Sequence, residues 1–255
     1  MIFDTPIILY TVISFSVIAI ALALLSLIKT QNIKDFCLKA FASLCFLFHI
    51  SYIWYDYLTQ GYAFVKGNVL FPVYFCGLNM YLLLLVAFMP KKGKIFEVLS
   101  EFLFYAGTLG GIVGTVCSEF YNANPDLSNY YVLKSLLSHS FMLLASLYLL
   151  IGGYVKIRVK NIISYIIGIM ICVYDGIMID LIFIISGLPH PNAMYLSRPP
   201  LSGVPWLSSY TIVSIVGVLI QLVTMVYEQI ALERENRWYS KLKKYFKHRR
   251  RDNAN

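Results

Sequence analysis

The sequence predicts an all-α polytopic membrane protein: a bundle of seven transmembrane helices with the N-terminus outside and the C-terminus in the cytoplasm. Three observations carry this. Of the 255 residues 59% are hydrophobic and 13% charged, against about 45–50% and about 25% in a soluble domain, so a soluble globule would have more apolar surface than it could hide. Apolar runs of roughly 20 residues, enough at 1.5 Å each to cross about 30 Å of hydrocarbon, recur seven times. The basic residues, finally, fall almost entirely in alternate loops.

The spans are expected at Pro6–Ile28, Phe36–Leu58, Val69–Met89, Ile95–Cys117, Ser135–Val155, Asn161–Leu188 and Leu201–Tyr227. The first is read as a helix, not a leader, because it lacks a basic flank and its apolar stretch exceeds the usual 7–15 residues or so. Of the 21 Lys and Arg residues, eighteen lie on one side. These are Lys29, Lys34 and Lys39, then Lys91, Lys92 and Lys94, then Lys156, Arg158 and Lys160, and nine in the tail between Arg234 and Arg251. Lys66, Lys134 and Arg198 are left for the other loops. The positive-inside rule therefore orients the chain, and the division is a membrane domain at 1–230 and a basic cytoplasmic tail at 231–255. The +8 net charge records topology plus a tail suited to anionic headgroups, which argues against a nucleic-acid partner. Five cysteines form neither a disulfide framework nor a metal pattern, and neither metal nor cofactor is expected.

Ionisable groups inside spans are costly and so point to a site. His49, Tyr52 and Asp56 share one face of the second span, Cys76 and Asn79 one face of the third, and Ser135 and His139 one face of the fifth. Asp175 and Asp180 lie on the sixth. Most fall in the outer half, where Cys76 and His139 could meet. An imidazole that takes the thiol proton makes cysteine a nucleophile, with Asp180 or Asp56 to orient the ring. The bland alternatives are an inert buried cysteine, histidines and aspartates bonded to neighbouring helices, and, for Asp56, a solvated helix end. Gly107, Gly110, Gly111 and Gly114 give two overlapping small-xxx-small registers, read as a close packing face. Pro72 in the first turn of the third span, with Asn68 as its cap, puts Cys76 in the second turn, where the helix dipole acts weakly and activation rests on a histidine.

The run Phe71-Pro72-Val73-Tyr74-Phe75-Cys76-Gly77-Leu78-Asn79-Met80 stands with the glycine-rich fourth span, Leu137-Ser138-His139, and Asn192-Ala193-Met194-Tyr195-Leu196-Ser197-Arg198-Pro199-Pro200 before the seventh. Together they resemble the bacterial YwaF family and its eukaryotic relative, transmembrane protein 164, in the same order and spacing from the second span on. The resemblance implies an integral-membrane acyltransferase that moves a fatty acyl chain between phospholipids, with Cys76 as nucleophile and His139 as its histidine. It also implies that Asn192, Tyr195 and Arg198 belong to an outer loop lining the lipid entrance. Bacterial members often carry His or Gln two residues before the cysteine, where this chain has Tyr74.

An outward-facing pocket would be out of reach of cytoplasmic acyl donors, so donor and acceptor would be a membrane phospholipid and a lysophospholipid, exchanging through a cysteine thioester. Asn79, Tyr74 or a main-chain amide would stabilise the oxyanion, and His49 is a further supporting group. A bacterial plasma membrane is the expected location. Competing readings are a proton-coupled small-molecule transporter, a lipid hydrolase, and a non-catalytic structural or sensory protein. A retinal receptor would need a lysine in the last span, which has none.

Overall fold

A computed structural model describes residues 4–60, 72–198, 209–231, 233, 239–240 and 243. Its helices are α1 (Thr5–Leu25), α2 (Gln31–Ile50), α3 (Tyr52–Gln60), α4 (Phe75–Phe88), α5 (Lys94–Val116), α6 (Glu119–Ala123), α7 (Tyr130–Ile151), α8 (Asn161–Ile185) and α9 (Ser209–Ala231), with a 3-10 turn at Ala193–Tyr195 before α9. No strand occurs among the described residues. Most of the 231–255 tail, and the start of the expected seventh span, lie outside them.

Local chemistry sets the helix ends. Asp4 caps α1 by accepting from Ile7 N at 3.3 Å, and Asn129 caps α7 by accepting from Tyr131 N at 2.9 Å. Lys91 closes α4, its ammonium donating to the carbonyls of Val86 and Ala87 at 2.6 Å. Gly93 at φ +95° and Gly153 at φ +84° make turns that a side chain would strain.

Among the described residues four helices are long and apolar enough to cross a membrane, five if the bent pair α2 and α3 is one span. The expected second span is thus broken at Ser51 by a 40° bend. The expected third span is shorter as helix than the sequence suggests. Tyr74 is extended (φ −117°, ψ 151°) and α4 has 14 residues, about 21 Å. The helix starts at Phe75, three residues after Pro72, and the extended stretch between them is held by the bond from Met194 N to Val73 O. Cys76 consequently sits in the first turn, not the second, and the expected Asn68 cap lies outside the described residues.

Helix α7 is the axis of the bundle, packed against α1, α2, α4 and α5, while α5 also meets α4 and α8. Leu38, Ala42, Phe102, Leu103, Met142, Ala145 and Tyr148 fill the centre with no exposed surface. The outer faces are apolar as well. Helix α1 presents Ile8, Leu9, Val12, Ile13, Val17, Ile20 and Leu24 outward, a surface that only hydrocarbon stabilises.

Polar contacts gather at the two ends. At one, Tyr154 donates to Asp35 at 2.5 Å, Lys160 pairs with Glu97 at 2.8 Å, and Val159 is held by Gln221 and Glu228. At the other, Tyr121 donates to Asp4 at 2.6 Å, Tyr131 to Asp56, and Met194 N to Val73 O at 2.7 Å. Asp56 is therefore no solvated helix end: it is 2% exposed and partnered, because the α2–α3 bend turns it inward against α7. The expected loop from Ser118 to Lys134 likewise contains α6 and the first turn of α7, which buries Lys134.

Candidate functional site

At the end opposite the Lys91 and Lys160 loops, a pocket of about 300 Å³ opens between α4, α5 and α7. Cys76, His139, His49, Tyr74 and Tyr195 line it, as do Glu119, Lys134, Ser135, Ser138 and Cys117.

Its floor is one face of α5. A Cβ added at Gly110 would lie 3.4 Å from Cys76 Sγ, and one at Gly114 would lie 1.9 Å from His139 Cδ2 and 2.4 Å from its Nε2. These glycines are one turn apart, so thiol and imidazole rest on consecutive turns, over positions about 5–6 Å apart. The other register has a different task. Gly107 faces the Ser146 side chain, and at Gly111 an added Cβ would meet the Leu143 backbone at 2.8 Å. The α5–α7 contact is therefore close because of Gly107 and Gly111, while Gly110 and Gly114 leave the room in which Cys76 and His139 sit.

The His139 ring has a defined orientation. Its Nδ1 lies 2.8 Å from Ser135 O, and since a carbonyl only accepts, Nδ1 carries the proton and Nε2 the lone pair. A backbone carbonyl one turn earlier thus takes the orienting task expected of Asp180 or Asp56. Cys76 is the second residue of α4. The first helical hydrogen bond there runs from Leu78 N to Tyr74 O, and the Tyr74 side chain caps nothing, so the amides of Phe75, Cys76 and Gly77 precede the ladder.

Tyr74 and Tyr195 stack with ring centroids 5.2 Å apart. Burial pushes the Tyr195 phenol well above its ordinary range, leaving it a neutral hydrogen-bonding group. Tyr195 is held there by a clipped loop. Asn192, Met194 and Tyr195 all have φ between 52° and 54°, a left-handed conformation that non-glycine residues hold only when the surroundings impose it. Ala193 N donates to Asp180 at 2.9 Å, His190 lies 3.5 Å from the same carboxylate, and Asn192 Oδ1 accepts from Ser197 N and Arg198 N.

Asp180 and Asn192 thus hold the loop in shape and do not line the pocket. Arg198 is exposed, its carbonyl accepting from Asn192 Nδ2. Asp175 is also outside the pocket, its Oδ2 without a hydrogen-bond partner among the described residues. Asn79 is fully buried and away from the cavity, with neither amide atom paired among the described residues. His49 is in the pocket, 8% exposed, with Nε2 unpartnered among the described residues.

Sequence reasoning missed Glu119 and Lys134. Lys134 is 7% exposed, its ammonium 4.6 Å from the Tyr52 ring centre and 5.3 Å from that of Phe120. The available signal was the run Lys134-Ser135-Leu136-Leu137-Ser138-His139, which puts four polar residues within six positions of an apolar helix. Along the other half of α4, toward the Lys91 end, an apolar groove of about 730 Å³ runs between α2 and α4, and Tyr81 in its wall stands edge-on to Phe46 at 5.0 Å and to His49 of the pocket at 6.2 Å. Among the described residues no group of His, Cys, Asp or Glu gathers as a metal site.

An apolar-faced helical bundle with a polar, cysteine-bearing cavity at one end defines a helical integral-membrane protein. The TMEM164 family model matches residues 3–227, and the chain belongs to that family. No curated protein and no solved structure matches it.

Proposed function

We propose that the protein is an integral-membrane acyltransferase that moves a fatty acyl chain between phospholipids through a thioester on Cys76. The observation that carries this is the placement of the Cys76 thiol and the His139 imidazole on consecutive turns of one glycine face, with Nε2 of the ring freed to act as base.

The reaction runs in two halves. His139 Nε2 removes the thiol proton, and the thiolate attacks the ester carbonyl carbon of a phospholipid. The tetrahedral intermediate collapses with cleavage of the ester C–O bond, and the departing alkoxide takes the proton from His139, giving a lysophospholipid and an acyl-cysteine. In the second half His139 deprotonates the hydroxyl of another lysophospholipid. That oxygen attacks the thioester, the C–S bond breaks, and the proton returns to the cysteine. The amides of Cys76 and Gly77 are better placed for the oxyanion than Asn79, since the pocket contains the start of α4 and not the Asn79 side chain. The groove between α2 and α4 suits the acyl chain.

The membrane arrangement belongs to the same proposal. Seven spans follow if the 14-residue α4, with its flanking chain, and the 23-residue α9 cross as well. The alternating charge then puts the N-terminus and the pocket outside, the basic end of the bundle in the cytoplasm, and the tail against anionic headgroups of a cell membrane. Donor and acceptor are then both lipids of the bilayer that surrounds the site.

A thioester trap tests the chemistry. Purified protein is incubated with a phospholipid carrying a tagged acyl chain, and the tag is sought by mass spectrometry. A hydroxylamine-sensitive adduct on Cys76 is expected, absent in Cys76→Ala and His139→Ala. Equal lipid remodelling by Cys76→Ala would refute the covalent route, and release of free acid without a lysolipid-dependent product would make the protein a hydrolase.

A further inference from the structure

Two groups of the pocket have no part in the thioester chemistry. Lys134 is nine-tenths buried in the pocket wall, its ammonium held over the faces of Tyr52 and Phe120. His49, also nine-tenths buried, lines the same cavity with Nε2 unpartnered among the described residues. A buried polar nitrogen without a partner costs roughly 1–3 kcal/mol, and in a residue that lines a cavity an entering acceptor recovers that cost after a small turn of the ring. An ammonium and an imidazole N–H at one cavity wall are two donors, a set that selects an anion with several acceptor oxygens. Glu119, the acid of this pocket, is exposed and its charge is felt at the pocket, but water weakens its repulsion of an anion more than it weakens the attraction of buried Lys134.

The positions along α7 say which anion. Lys134 precedes His139 by five residues, about 7.5 Å along the helix axis, and lies toward the end that opens to the headgroup region under the orientation proposed above. In a glycerophospholipid the phosphate lies nearer water than the ester carbonyls, separated from them by the glycerol backbone. A lipid whose carbonyl reaches Cys76 therefore brings its phosphate to the level of Lys134. We propose that Lys134 and His49 form a phosphate subsite that holds the headgroup phosphodiester of a phospholipid and so sets the ester carbonyl at Cys76. This rests on the reading of Cys76 and His139 as the reacting pair. It makes Lys134 and His49 specificity residues, which select phospholipids over neutral glycerolipids.

The test is binding without chemistry, so its outcome is independent of the thioester trap. Full-length protein in detergent is titrated with three probes: a diether phospholipid, whose chains cannot be transferred; the chain-matched diether glycerol, which lacks the phosphate; and inorganic phosphate. The intact protein is expected to bind the phospholipid at least about tenfold more tightly than the diether glycerol, the scale of one charge-assisted hydrogen bond. Lys134→Met should abolish that preference while leaving diether glycerol binding unchanged, Lys134→Arg should restore most of it, and His49→Phe should reduce it. Inorganic phosphate should compete only at far higher concentration than the phospholipid. Lack of preference in the intact protein, which needs no variant to fold, would overturn the proposal. So would an undiminished preference in Lys134→Met, equal loss of both lipids in that variant, or competition by inorganic phosphate as strong as by the lipid.

Discussion

Substituting Gly114 by alanine separates catalysis from packing. An added Cβ would lie 1.9 Å from His139 Cδ2, while ordinary contact begins at 3.4 Å, so the ring has to retreat by 1.5 Å. The backbone of α5 is fixed by its contact with α7, and the ring is tethered through Nδ1 to Ser135 O. Moving that far breaks the tether or displaces Nε2 from its place over Gly114. A misplacement of about 1 Å costs on the order of a hundredfold in rate, so the acylation rate of Gly114→Ala should fall by about that factor. Stability should change little, because overpacking costs about 1–3 kcal/mol and replacing a helical glycine returns up to about 1 kcal/mol. Gly110→Ala is the internal control. Its Cβ would meet the flexible Met142 Cε at 3.0 Å and Cys76 Sγ at an acceptable 3.4 Å, so most activity should remain. Gly111→Ala should do the reverse of Gly114→Ala: its Cβ would meet Leu143 backbone at 2.8 Å, which cannot yield, and the loss should appear as aggregation on mild heating in detergent. Acylation rate from the thioester trap and heat-challenged gel filtration read the two effects separately. A fully active Gly114→Ala would refute the placement of His139 as base.

Asp180→Asn should loosen the strained loop rather than the chemistry. Faster hydrogen exchange is expected across residues 192–196, with a rise in KM exceeding any fall in kcat; unchanged exchange would show that the Ala193 amide does not depend on this carboxylate. Tyr131→Phe leaves buried Asp56 without its phenol donor and should destabilise the bundle by about 1–3 kcal/mol, read as a lower melting temperature that Asp56→Asn does not lower further. At Asp126 the hydroxyl and amide of Ser128 hold the carboxyl below its ordinary value of 3.8. Its folded value is the lower one, so this contribution to the 124–129 turn is complete above pH 4 or so and is lost as pH falls through the depressed value. Ser128→Ala should remove that acid sensitivity from local hydrogen exchange, and an unaltered pH profile would count against it.

Helix existence was legible in the sequence because hydrocarbon imposes it: any segment apolar on every side must satisfy its own backbone. The boundaries were less so. The break at Ser51 has no proline or glycine beside it, and it buries Asp56 against Tyr131, a partner 75 positions away along the chain. The entry to α4 misled for a local reason. Pro72 suits a first turn, yet Val73 O accepts from Met194 N, and a stretch bonded to a distant loop stays extended. That Cys76 and His139 share a pocket was legible from their being polar residues on apolar faces, as was the glycine face beneath them. The orienting partner of His139 was not, because main-chain carbonyls leave no mark in composition. Lys134 was missed because a charge near a span end reads equally well as topology.

The two glycine registers of α5 explain why the cavity is where it is. Where α5 and α7 approach as closely as Gly107 and Gly111 permit, Ser146 and the Leu143 backbone already fill the space between them, so a cavity has to lie beside that seam and not in it. Gly110 and Gly114 are offset from the seam by three residues, about 60° around the helix from its line, which turns them toward the start of α4. Because α4 begins only at Phe75, its first turn, and not its middle, lies at the pocket, and a cysteine placed there shares it with a histidine from α7, beside amides that precede the helical ladder. A third span that was helical from residue 69 would present a middle turn to the same place, with every amide already bonded. The late entry of α4, held extended through Val73 by the loop at Met194, is thus the feature that turns a packing face into a pocket with an electrophilic pole, and the glycine face alone would not suffice.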